Sequence, residues 1–435
     1  MNTIRIEKEK KLGKIKPMHC GNNVAGLGGD CNGLYKDLKI PYTRLHDSAT
    51  IERHLVDTTS VFPNFDADEN DPLSYDFAFT DFYLQNIIKT GMKPYYRLGV
   101  TIENYAYIKA YNIHPPKDFK KWARICEHII MHYNEGWNNG YSYGIEYWEI
   151  WNEPENSRDP ARNQMWTGTF EELIELYEVT ANHLKNRFPE IKVGGYGSCG
   201  FYSILNETAG DAACVTEDTD YFIECANKFL KTISSSEHKA PLDFFSWHSY
   251  GTCEKNVKFA RYVRKLLDDY GFKNTESHLN EWNPSMWIKG TLIDSSNILA
   301  NMLALQNEPL DMAMYYQFRM GTDYNSLIDP LKKNPMKGYY AFKAFSYLYE
   351  KKEQVKVTSY GDGGIYYAGA YDGNEGVLVI TNNSNTVNWT VLEGIEVKEV
   401  KLITERDDDN LDTMKGGNKT QFDLFPFESA VIIFN

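Results

Sequence analysis

The sequence predicts an α/β fold: a (β/α)8 barrel of the TIM type with a smaller antiparallel β-sandwich attached. Three observations predict it. From about residue 17 to residue 350, short apolar or β-branched runs alternate with longer stretches of helical period, the signature of a parallel sheet with crossover helices. Eight strand candidates can be counted in that stretch, the number that closes a barrel. After about residue 352 the texture changes to short alternating runs punctuated by Gly, Asn and Asp, spaced like the strands of a sandwich.

In chain order, the opening TIRIEKEKKLGKIK alternates and is expected to add a strand to the sandwich before the chain enters the barrel. The barrel strands are expected at 18–20, 42–46, 93–98, 147–151, 192–195, 244–248, 276–279 and 313–317, each ending in polar or aromatic residues. Amphipathic patterns lie between them at 119–133, 170–187, 221–232, 256–270, 296–306 and 336–351. Gly91 before MKPYYRL and Phe188-Pro189 before EIKVGGYG mark helix ends that precede strands. No G-x-G-x-x-G follows the first strand, which disfavours an open dinucleotide-binding sheet. The runs GGIYYAGAYD, EGVLVITNNS, TVNWTVL, IEVKEVKLIT and SAVIIFN then build the sandwich. The expected organisation is a barrel over 16–350 and a sandwich over 351–435 joined by the strand within 1–15. Long segments after the third and fifth strands, 104–116 and 197–220, are expected to shape a pocket or a cleft.

Composition excludes several classes. A net charge of −14 argues against a phosphate-backbone partner or an anionic membrane, because both are bound through clustered Lys and Arg. No apolar run is long enough for a membrane span or a signal-peptide core, so the sequence points to a cytoplasmic protein, or to a secreted or periplasmic one if a leader has been removed. Seven cysteines, Cys20, Cys31, Cys126, Cys199, Cys214, Cys225 and Cys253, are scattered without a C-x-x-C pair or a neighbouring His cluster, so reduced thiols are expected and no zinc site. No cofactor is implied. Assembly into a homo-oligomer is left open.

In such a barrel, reactive groups sit at the C-terminal ends of the strands, where the loops converge on one mouth. The fourth strand ends in YWEIWNEPE, placing Asn152 and Glu153 there, and the seventh in SHLNEWNPS, placing Glu281 and Trp282. Glycoside hydrolysis with retention needs such a pair: a carboxylic acid to protonate the leaving oxygen and a carboxylate about 5–5.5 Å away to attack the anomeric carbon; inversion needs about 6.5–9.5 Å. Glu153 lies among Trp148, Trp151 and Pro154, an apolar setting that disfavours its charged form and suits a proton donor. Glu281, as nucleophile, needs donors that keep it ionised. The second strand ends in YTRLHD and the sixth in SWHSYG, so Arg44, His46, His248 and Tyr250 can reach the mouth. Arg44 or the Tyr250 hydroxyl can hold Glu281 as a carboxylate, and Asn152 can bind a sugar hydroxyl. The mouth offers no H-x-H, so a metal-dependent barrel hydrolase is disfavoured.

The segments GKIKP, TRLHD, EIWNEPE, DFFSWHSYG, LNEWNPS with IDSSNILANML, and SLIDPLKKNPMKGYYAFKAFSYL resemble those of glycoside hydrolase family thirty-nine, the β-xylosidases and α-L-iduronidases. The resemblance implies a retaining, metal-independent, exo-acting glycosidase taking a glycoside or oligosaccharide, with Glu153 as acid/base and Glu281 as nucleophile. It further implies Asn152 as ligand of the sugar 2-hydroxyl and Tyr250 as partner of the nucleophile. His46 and His248 would line the subsite, and Arg44 would sit behind Glu281. Where xylosidases of the family show a Trp and then an Asp around the eighth strand, this chain reads MYYQFRMG, with Tyr316 and Arg319 in that neighbourhood. That departure leaves xylosides, arabinosides, galactosides and uronic acids open as substrates. The alternative from another class is a non-catalytic carbohydrate-binding protein on a glycosidase scaffold.

Overall fold

The chain begins with a strand that belongs to its C-terminal sheet. β1 (Asn2–Lys14) runs antiparallel to β10 (Glu353–Tyr360) on one side and parallel to β13 (Asn388–Glu393) on the other. The computed structural model describes residues 2–24, 31–47, 54–102, 112–205, 218–285, 287–361, 363–406 and 410–435. Cys214 and the centres of the two long segments expected at 104–116 and 197–220 lie outside the described residues.

After β1 the chain forms a closed parallel barrel of β2 (Cys20–Asn22), β3 (Tyr42–Leu45), β4 (Lys93–Leu98), β5 (Tyr147–Ile150), β6 (Lys192–Ser198), β7 (Phe244–Ser249), β8 (Glu276–Trp282) and β9 (Met312–Tyr315). β2 closes it by pairing with β9, Cys20 opposite Met314. The first strand starts later than expected. It is three residues long, too short to alternate, and only its pairing with β3 and β9 defines it.

Around the barrel lie α1 (Asn32–Asp37), α2 (Thr58–Val61), α3 (Ala78–Lys89), α4 (Phe119–Asn134), α5 (Phe170–Arg187), α6 (Thr219–Ser234), α7 (Cys253–Asp269), α8 (Leu292–Leu305) and α9 (Lys337–Lys351). Local sequence explains the sharpest starts: Thr169 and Glu172 form a reciprocal capping box at α5, while Asp118 and Thr291 cap α4 and α8. α4 buries Trp122, Ile125, Cys126, Ile129, Ile130 and Tyr133, spaced three or four apart, onto the barrel. The first three helices escaped the sequence reading. α1 and α2 are too short to show a period, and α3 buries Thr80 and Asn86 beside Tyr83, Leu84 and Ile87, which blurs its apolar stripe.

The remaining strands are β11 (Ile365–Tyr371), β12 (Gly376–Asn382), β14 (Val397–Ile403), β15 (Asn410–Thr413), β16 (Gln421–Leu424) and β17 (Ser429–Phe434). The sheet runs in the order β15-β14-β17-β12-β11-β10-β1-β13-β16, antiparallel except where β1 meets β13. It folds over a core of Ile4, Ile6, Leu378, Ile380, Leu392, Val400, Phe422, Leu424 and Ile432, giving the sandwich. Alternation along β12 serves two cores at once: Leu378 and Ile380 face the sandwich, and Val377 and Val379 join the main core that contains α8 and α9. The cysteines among the described residues are free thiols, all buried except half-buried Cys31. No helix among these residues is long and apolar enough to cross a membrane.

Candidate active site

The barrel interior is built in tiers that the two-residue period of the strands dictates. At the bottom, Tyr95, Tyr147, Phe244, Met312 and Met314 pack together, with Tyr95 and Tyr147 stacked at 5.3 Å and His278 against Phe244 at 5.0 Å. Two residues further along their strands, the inward positions turn polar: Arg44, Arg97, Glu149, Ser246 and Asn280, all fully buried. Above them the strand ends bring Asn152, Glu153, His248, Tyr250 and Glu281 to one mouth.

Glu281 reaches the mouth through a bulge. Strict alternation from Leu279, which lies in the outer core, would turn Glu281 outward as well. The register between β7 and β8 slips, so that Trp247 faces Leu279 but His248 faces Glu281. A bulge of this kind re-aims the side chain that follows it. It sends Glu281 inward and Trp282 outward, where the Trp282 ring packs edge-on against Tyr315 at 5.3 Å. Trp282, read from the sequence as a site residue, is therefore a core residue beside the site.

Glu153 follows β5 on a tight turn in which Trp151 and Glu153 both have positive φ, +70° and +43°. The turn is tied to the end of β6 by Glu153 N–H donating to the Gly197 carbonyl at 3.0 Å. Gly197 (φ +64°) suits its place twice over: the backbone is in a region that disfavours other residues, and a Cβ there would lie a tight 3.1–3.3 Å from Asn152 Oδ1, His248 Nε2 and Arg44 Nη2.

Glu153, Glu281 and His248 form one cluster in which a carboxylate oxygen of each glutamate and a ring nitrogen all lie within 4.8 Å of one another. His248 Nδ1 is 2.7 Å from Glu153 Oε1 and 3.6 Å from Glu281 Oε2. Arg44 Nη1 donates to Glu281 Oε2 at 3.1 Å, its Nε to Glu149 Oε2 at 2.7 Å, and its Nη2 to Asn152 Oδ1. Tyr250 donates its hydroxyl to Glu281 Oε1. Asn280 secures the far side of Glu149 at 2.6 Å. The Asn152 amide nitrogen is buried and has no hydrogen-bond partner among the described residues.

Electrostatics separate the groups. Burial is the main force on Glu153 and lifts it to about 7; Asp47 adds to the rise and Arg44 opposes it. Burial also raises Glu281, against the pull of His248, Arg44 and the Tyr250 hydroxyl. Burial drives His248 down to about 4, so its imidazole is neutral near pH 7. The same trio of ligand types can hold a divalent cation. Here the Arg44 guanidinium already occupies one side of Glu281 as a fixed positive charge, which favours a carboxylate pair acting alone.

The remaining expected residues lie beside this cluster. Arg97 Nε donates to His46 Nδ1 at 3.2 Å, so the proton of neutral His46 is on Nε2, 3.3 Å from Asp47 Oδ1. Tyr316 donates to Asp47 Oδ2 at 2.8 Å, and its ring lies 6.4 Å from that of Tyr250. Arg319 is not brought to the carboxylates: it is half-buried beyond β9, and among the described residues no ion pair reaches its guanidinium. Sequence reading missed Asp47, Glu149, Arg97 and Asn280. For Glu149, Arg97 and Asn280 the available signal was a charged or amide residue inside an otherwise apolar strand, YWEI, KPYYRL and ESHLNEW.

Comparison with known proteins agrees with this architecture. A β-xylosidase from Geobacillus stearothermophilus is 25% identical over 301 residues, 61% of this chain and 52% of that protein. Another from Caldicellulosiruptor saccharolyticus is 29% identical over 189 residues, 41% of this chain and 32% of that protein. The chain thus spans about half the length of the first of these curated relatives and about a third of the second. Among solved structures, a glucosidase from Croceicoccus marinus superposes with a TM-score of 0.75 at 19% identity over 100% of this chain and 99% of that one. A monomeric β-xylosidase from Caulobacter crescentus does so with a TM-score of 0.65 at 16% identity, covering 99% of each. These likenesses carry the fold. The profile described as Glycosyl hydrolases family 39 matches residues 2–319, and the chain belongs to that family.

Proposed function

We propose that the protein is a retaining glycosidase in which Glu281 is the nucleophile and Glu153 the acid/base. The observation that carries this reading is the spacing of the two carboxyl groups. A carboxyl oxygen of each within 4.8 Å of the other suits direct attack on the anomeric carbon and falls short of the roughly 6.5–9.5 Å at which inverting enzymes hold their carboxylates.

In the first step Glu281 Oε2 or Oε1 attacks the anomeric carbon while Glu153, protonated near pH 7, gives its proton to the departing oxygen. Arg44 and Tyr250 hold Glu281 as a carboxylate until it forms the ester. Neutral His248, 2.7 Å from Glu153, steadies the charge Glu153 acquires on losing its proton. In the second step Glu153, now the base, takes a proton from water, the water oxygen bonds to the anomeric carbon, and Glu281 leaves. The Asn152 amide, buried without a partner among the described residues, donates in this reading to a sugar hydroxyl beside the reacting carbon.

The substrate that fits best is a β-xyloside cleaved from a chain end, on the strength of the family and its β-xylosidase relatives. A panel of nitrophenyl pyranosides and furanosides, run with a Glu281→Gln control, tests both parts. Turnover of the β-xyloside that vanishes in the variant supports the reading. Equal turnover in the variant removes Glu281 from its role, and preference for an arabinoside, galactoside or uronide changes the sugar but not the chemistry.

A further inference from the structure

The loop that leaves the nucleophile strand presents Trp287 to solvent with 79% of its surface exposed, more than Tyr360 at 63% or Phe82 at 50%. A large ring so uncovered is the informative departure in a soluble protein, and this one stands on a barrel loop at the catalytic end.

The loop is held at both feet. Asn283 Nδ2 donates to the carbonyls of Tyr316 at 2.6 Å and Tyr324 at 3.1 Å. Lys289, only 12% exposed, donates to Asn283 Oδ1 at 2.6 Å and to the Tyr315 hydroxyl at 3.0 Å, and pairs with buried Asp294 at 3.4 Å. Ser285 N–H donates to Asn283 Oδ1, and Trp287 N–H to Ser285 Oγ at 3.3 Å. Tyr316 and Tyr324 in turn pack within 6.4 and 6.0 Å of Tyr250, the residue that donates to Glu281. Burying an ammonium group is costly unless it is fully partnered, and here its partners fix the loop to the tyrosines around the nucleophile.

We propose that Trp287 is a stacking platform for the sugar unit on the leaving-group side, so that the substrate is an oligosaccharide whose penultimate ring lies on the indole. Pyranose rings offer a face of C–H groups, and an amphipathic ring carried on an anchored loop can stack on such a face. This deepens the glycosidase reading above and rests on it.

The test uses the full-length enzyme with Trp287→Ala and Trp287→Phe. Its probes are xylotriose and β-xylosyl fluoride, or the matching trisaccharide and fluoride of the sugar the nitrophenyl panel selects. The fluoride has no ring on the leaving-group side. Trp287→Ala is expected to lower kcat/KM for the trisaccharide roughly tenfold, from covering on the order of 60 Å² of apolar face, and to leave the fluoride unchanged. Trp287→Phe is expected to retain most of the trisaccharide activity. Unchanged trisaccharide hydrolysis in Trp287→Ala overturns the proposal, as does an equal fall on both probes. Wild-type enzyme inert toward both would instead sink the glycosidase reading beneath it.

Discussion

Replacing Tyr250 by Phe removes one hydroxyl and nothing else from the wall around Glu281. Its consequence follows from the contacts. Glu281 Oε1 accepts from that hydroxyl and Oε2 from Arg44, and the side chain is only 7% exposed, so little water can take the hydroxyl's place. A hydrogen bond to a charged group contributes roughly 1.5–3 kcal/mol. Since that donor favours the carboxylate form, losing it raises the pKa of Glu281, by roughly one to two units at 1.36 kcal/mol per unit. The nucleophile must be ionised, so the acid limb of kcat/KM against pH moves upward and the bell narrows from the acid side. The alkaline limb, set by Glu153 at about 7, stays near its place. At a pH below the wild-type acid limb, kcat/KM should fall roughly ten- to a hundredfold. The assay is a pH series with an alkyl glycoside or oligosaccharide, whose departure needs the Glu153 proton, so that both limbs are read. An acid limb that stays within about a third of a unit of wild type would refute the role given to Tyr250.

Replacing Glu153 by Ala should slow substrates with poor leaving groups far more than activated aryl glycosides, and should erase the alkaline limb near pH 7; equal loss on both substrate kinds with the limb intact would contradict an acid role. Glu149→Leu leaves the buried Arg44 guanidinium without the closer of its two carboxylate partners and should cost roughly 3–5 kcal/mol in denaturant unfolding, and an unchanged midpoint would show that the pair does not hold the barrel interior. Prolonged dialysis against a strong chelator should leave turnover unchanged, whereas loss restored by a divalent cation would turn the Glu153, His248 and Glu281 cluster into a metal site.

Why the sequence revealed some of this and not the rest has physical reasons. β4, β5 and β7 were legible because runs such as KPYYRL and FFSWHS are apolar on their outer face and stop at polar residues. Glu153 and Glu281 were legible because strand order alone brings the fourth and seventh ends to one mouth. The bulge that turns Glu281 inward and Trp282 outward was not, since it is a property of pairing with β7 rather than of local pattern. Nor was the Arg44 to Glu149 pair, which joins residues 105 apart on strands that are not neighbours and appears only when the barrel closes. Arg319, a candidate partner for a substrate carboxylate by its place after the last strand, lies half-buried there.

The central claim is that Glu281 forms a bond to the sugar. Incubating the enzyme with an activated 2-deoxy-2-fluoro-β-xyloside, digesting it and sequencing the labelled peptide by mass spectrometry tests this directly. One glycosyl group on Glu281, absent from the Glu281→Gln variant, is the expected result. Turnover of the parent xyloside with no adduct at any time, or an adduct on another residue, would contradict it.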